Sequence, residues 1–137
     1  YWLGLRPDAL LERCGQTIDD YADNIGENAT TSCDFDVPES LTILGVFGHM
    51  HELGTRFQLE LNPDTDDALM MLDIPQWDFH WQDRYQLIEP LELQQGDSMR
   101  MTCTWDNSLS DDPRYRVWGE GTEDEMCFAT VMVVESR

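Results

Sequence analysis

His49-Met50-His51 puts two histidines one residue apart. They follow the apolar run Leu41-Thr42-Ile43-Leu44-Gly45-Val46-Phe47, whose β-branched and aromatic residues favour a strand. Alternate side chains of a strand share a face. His49 and His51 are therefore expected to aim at one point, which is half of a metal site in a β protein. Imidazole suits copper, zinc, iron and nickel alike. The plainer alternative is two polar residues on a solvated strand end. The chain holds only three histidines and two of them stand here, which favours the metal.

A second candidate donor lies near the C-terminus. Gly121-Thr122-Glu123-Asp124-Glu125-Met126-Cys127-Phe128 leads into the apolar run Ala129-Thr130-Val131-Met132-Val133-Val134. A buried Met is usually core filler. Its thioether is also a soft ligand that favours copper, Cu(I) above all, whereas zinc sites take His, Cys or carboxylate. Two imidazoles and Met126 would form a mixed nitrogen–sulfur site that cycles between Cu(I) and Cu(II) and leaves a position open. His80, between Phe79 and Trp81 in an expected strand, is a rival third ligand, although a hydrogen-bonded structural histidine is the commoner role. Asp124 and Glu125 are either partners that orient the ligands or plain loop charge.

Three stretches resemble the C-terminal domain of the copper type II, ascorbate-dependent monooxygenases, the family of dopamine β-hydroxylase and peptidylglycine α-hydroxylating monooxygenase. They are His49-Met50-His51 followed by Leu53-Gly54, Gly96-Asp97-Ser98 followed by Met101-Thr102-Cys103-Thr104, and Gly121 to Cys127. Their order and spacing fit from about Leu41 to the end of the chain. The resemblance implies one copper per chain held by His49, His51 and Met126. There oxygen is activated and a small-molecule substrate is hydroxylated at a C–H bond, with ascorbate or a similar compound as external reductant. It also implies a Cys103–Cys127 disulfide, which would fix the Met126 loop to a neighbouring strand.

The departures are as informative. Family enzymes carry an N-terminal copper domain with a histidine-only site that supplies the second electron. His80 is the one histidine left for it here, so that domain is expected as a missing partner and the chain alone is expected to turn over poorly. The peptide-hydroxylating branch has Arg two residues before the first ligand histidine, where Phe47 stands in this chain. Met126-Cys127-Phe128-Ala129 looks closer to the dopamine-hydroxylase side. The alternative function is a non-catalytic copper-binding or interaction module.

At 137 residues with 41% hydrophobic content, the chain is expected to be one domain, 1–137, with a packed core. It carries 28 acidic against 8 basic residues, all Arg, for a net charge of −20. That excludes nucleic acid, which needs a basic surface, and anionic membranes. No run is long enough to span a membrane, so no membrane insertion is expected. Four cysteines fit two disulfides. If Cys103 and Cys127 pair, Cys14 and Cys33 remain to staple the N-terminal segment. Disulfides imply an oxidising compartment, secreted or periplasmic. The start at Tyr1, without signal peptide or initiator Met, suggests a mature product or a piece of a longer secreted protein.

The elements that must position these donors are β throughout. Residues 1–40 are expected to be an irregular lead-in, with a short helical turn near Pro7-Asp8 and polar loop from Gly15 to Glu39. Phe57 to Leu61 alternates, Asn62-Pro63-Asp64 turns, and Ala68 to Ile74 is a strand. Tyr85 to Leu93 contains Pro90 and is expected to be bent or at an edge. Met99 to Trp105 alternates, and Asp106 to Glu120 is a long loop. Seven or eight short strands with turn signals give an antiparallel, jelly-roll-like β-sandwich.

Overall fold

Period-two alternation of apolar side chains sets the architecture. A computed structural model describes residues 2–4, 28–109, 111, 121–122 and 125–135. They form eight strands: β1 (Trp2–Gly4), β2 (Asn28–Asp36), β3 (Leu41–Met50), β4 (Gly54–Leu61), β5 (Leu69–Ile74), β6 (Tyr85–Leu93), β7 (Ser98–Asp106) and β8 (Cys127–Glu135). A single 3-10 turn follows β7 at Asn107–Leu109. The strands make two four-stranded sheets, ordered β1-β8-β3-β6 and β2-β7-β4-β5, and every pairing is antiparallel. Leu41, Ile43, Val46, Met50 and Val131 of the first sheet share one buried core with Phe35, Phe57, Leu59, Met99 and Met101 of the second. The fold is the all-β antiparallel sandwich expected from the pattern.

The two sheets are also tied covalently. Cys103 on β7 is bonded to Cys127 on β8 across a separation of 24 residues. Closing a loop of that length contributes about 3 kcal/mol in the chain-entropy account. Cys33 is disulfide-bonded as well, while Cys14 lies outside the described residues. So do the helical turn expected at Pro7-Asp8 and most of the loop from Asp106 to Glu120. Among the described residues no helix is long and apolar enough to cross a membrane.

Asn28–Asp36 differs from its expectation as loop: it is a full strand. Thr30, Ser32 and Asp34 occupy the outer face, where each meets a cross-strand partner on β7. Thr30 and Thr104 share a hydrogen bond of 3.1 Å, Ser32 and Thr102 one of 2.7 Å. Arg100 grips both carboxylate oxygens of Asp34 at 2.7 and 2.8 Å. Cys33 and Phe35 face the core. Polarity hid a period of two that pairing on one face and burial on the other both satisfy. β6, by contrast, lies at a sheet edge as its Pro90 requires.

The feature of β3 that matters most is a bulge. Ile43 pairs with Val133 and Gly45 with Met132, so two residues of β3 oppose one of β8. The phase of the strand changes there. Before it, Leu41 and Ile43 are buried; after it, Val46, Gly48 and Met50 are buried while Phe47 and His49 are partly exposed. Bulges re-aim side chains in this way. Gly45 fits the bulge closely, since a Cβ would meet the Tyr85 carbonyl oxygen at 2.9 Å.

Gly48 is the tightest point between the sheets. A Cβ there would lie 2.5 Å from two ring carbons of Phe57, and Phe57 is fully buried. Overpacking a core costs about 1–3 kcal/mol. Gly48→Ala should lower the free energy of unfolding by that amount, read as a lower urea midpoint at unchanged slope; a midpoint equal to wild type would disprove the close approach.

Candidate functional site

Because of the bulge, His49 stands on the outer side of β3, paired with Phe128 on β8. The two rings are 4.6 Å apart between centroids, and Phe47 packs 6.4 Å from His49 and from Phe128. His51 follows the last residue of β3. Its ring lies 5.2 Å from that of His49 at an interplanar angle of 85°, and its other side meets the ring of Phe79 edge-on at 5.9 Å. The two imidazoles are thus brought together, with His51 buried and His49 partly so.

The main chain of His51 is held at both polar atoms. Its N–H donates to Glu125 Oε2 at 3.3 Å, and its carbonyl accepts from Trp77 Nε1 at 3.2 Å and Gly54 N at 3.3 Å. Glu125 is the hub. Its Oε1 accepts from Leu53 N at 2.9 Å, and its Oε2 also accepts from Trp105 Nε1 at 2.8 Å. Burial pushes this carboxyl above the ordinary range, while the Leu53 and Trp105 bonds pull the other way. Of the two acidic residues weighed beside Met126, Glu125 therefore orients the turn after β3 through main-chain and indole N–H groups. Asp124 lies outside the described residues.

A different segment touches the imidazole of His49. In the loop between β5 and β6, Gln82 Oε1 lies 2.6 Å from His49 Nδ1. Burial lowers the proton affinity of His49, the Gln82 bond opposes this, and the neighbouring His51 lowers it further. A neutral imidazole is the form that binds a metal. The loop's aromatics read from sequence only as a short stretch; in fact Trp77, Phe79 and Gln82 all reach the histidine pair. Nothing in their spacing marks this, because loop and strand meet only through the tertiary fold.

Met126 immediately precedes β8. The β3–β8 register ends at Met50 opposite Cys127, one residue short of both His51 and Met126. The Cys103–Cys127 bond anchors the residue next to it. His80 is not part of this cluster. It lies in a turn rather than a strand, its side chain is 85% exposed, and its Nδ1 is 3.5 Å from Asp78 Oδ1. Among the described residues no group of three His, Cys, Asp or Glu is arranged to hold a metal. The two imidazoles come together here, and with the thioether expected from Met126 they would make a donor set that fits copper better than zinc.

The hub makes a sharp expectation. A carboxamide has one acceptor oxygen, and the Glu125 carboxylate uses both. Glu125→Gln must turn its NH2 onto at least one N–H donor, at about 1–3 kcal/mol for a buried unsatisfied group. A thermal midpoint as high as wild type would show that these contacts do not hold the turn.

No curated protein matches the chain closely. The family description "Copper type II ascorbate-dependent monooxygenase, C-terminal domain" matches residues 15–136, which takes in every strand from β2 to β8 and both halves of the site. With nearly the whole chain matched, the chain belongs to the copper type II ascorbate-dependent monooxygenases as a C-terminal domain of that family.

Proposed function

We propose that residues 1–137 form one domain, the oxygen-activating copper domain of a monooxygenase, with one copper held by His49, His51 and Met126. The observation that carries this reading is the convergence of His49 and His51 at the end of β3, with Met126 standing immediately before the β8 strand that pairs with it. Copper bound there supplies the one-electron chemistry by which dioxygen is activated and a substrate C–H bond hydroxylated, with ascorbate as external reductant.

The chain's own residues do the positioning. The two imidazoles supply borderline nitrogen donors and Met126 a soft sulfur that favours Cu(I). Phe47, Phe79 and Phe128 pack around the histidine rings. No side chain is required as a general base, since the metal carries the difficult chemistry. The second electron is assigned to a separate copper domain, because His80, the only other histidine, points to solvent beside Asp78. Two disulfides support an oxidising compartment, secreted or periplasmic.

A non-catalytic copper-binding module is the second reading, favoured by the same lack of histidines for a second site. The intact protein separates the two. X-ray absorption of the Cu(I) form should show two nitrogens and one sulfur at thioether distance, at one copper per chain. His49→Ala/His51→Ala should abolish binding, and copper retained equally by that double variant would end the assignment. Met126→His should keep copper, since imidazole also binds it, yet lose hydroxylation of small phenethyl, peptidyl and aliphatic substrates under ascorbate. Copper held tightly by wild type with no hydroxylation of any of them would favour the binding module.

A further inference from the structure

Gln82 belongs to none of the motifs that mark the site, and it stands 33 residues from His49 in sequence. Its amide has two distinguishable ends, and a main-chain atom tells them apart. Nε2 donates to the Phe79 carbonyl at 2.7 Å. A carbonyl oxygen only accepts, so the reversed amide would set two acceptors against each other at that distance. The other end, facing His49 Nδ1 at 2.6 Å, is therefore the oxygen. It too can only accept, so the hydrogen lies on Nδ1. A neutral imidazole carries one N–H, which leaves the lone pair on Nε2.

We propose that Gln82 is a positioning residue that locks His49 in the Nδ1–H tautomer and so presents Nε2 to the metal. This rests on His49 being a copper ligand. Neutral imidazole in water prefers its proton on Nε2, the nitrogen that must be bare here. Without an acceptor at Nδ1, the binding nitrogen would carry a proton in much of the population. The loop that supplies the acceptor also carries Phe79 against the ring of His51, so one segment sets the orientation of both imidazoles. Partners of this kind typically change metal affinity about 10–100-fold when removed.

The test begins without metal. In the intact apo-protein labelled with 15N-histidine, and with the His49 signals identified by their loss in His49→Ala, wild type should show a protonated Nδ1 and a bare Nε2. Gln82→Leu should move the proton toward Nε2 and weaken copper binding about 10–100-fold. A proton on Nε2 of His49 in wild type overturns the lock. So does a Gln82→Leu variant whose tautomer or copper affinity equals wild type. Equal copper binding by wild type and His49→Ala would instead remove the ligand assignment. The two failures are told apart because the tautomer is read on metal-free protein.

Discussion

From Leu41 opposite Glu135 to Met50 opposite Cys127, β3 and β8 keep one antiparallel register interrupted by one bulge. Two requirements meet in that pair. Its inner side must bury Ile43, Val46, Met50, Ala129 and Val131, and its outer side must carry the ring of His49 beside Phe128. A strand of strict alternation cannot bury Leu41 and Ile43 and also turn Phe47 and His49 outward, since all four are odd-numbered. The bulge between Ile43 and Gly45 resolves the conflict. Core packing then fixes the position of the first imidazole.

Around this pair the molecule spends polar groups where apolar ones would be safer. Glu125 is a buried carboxylate whose desolvation is offset by N–H donors from His51, Leu53 and Trp105. Burying an ionised group costs a great deal unless hydrogen bonds meet it. That cost is understandable here because the contacts join the turn after β3, the end of β7 and the residue before Met126. Trp77 adds a fourth segment through the His51 carbonyl. Main-chain geometry on both sides of the proposed metal is thus set by hydrogen bonds, and the Cys103–Cys127 bond closes the same region covalently.

The His-x-His pair on one strand, the sulfur at the mouth of the last strand and the antiparallel sandwich were all legible, because each depends on local spacing. β2 was not, because its outer face is polar and its stability comes from pairing with β7. The strand phase of His49 was only half legible: spacing puts His49 and His51 together, but which side of the sheet they share depends on a bulge that Leu44 and Gly45 do not announce. Gln82 and Trp105 carry no motif at all. They act through a loop and a strand end that meet the histidines only after the sheets have packed. His80 shows the converse, a residue type suited to metal whose turn leaves it in solvent.

The bulge has a consequence for anyone wishing to move this chemistry onto another scaffold. Copying His49, His51 and Met126 onto a regular hairpin would reproduce the donor list, yet their orientation would then depend on whichever face that hairpin exposes. The transferable unit is larger: an offset at Leu44-Gly45, a glycine at position 48 that admits Phe57, and a strand partner locked by its neighbouring disulfide. Strand length upstream of the histidines thus behaves as an inherited quantity. Substitutions there leave the address intact, whereas gaining or losing a single residue rewrites it.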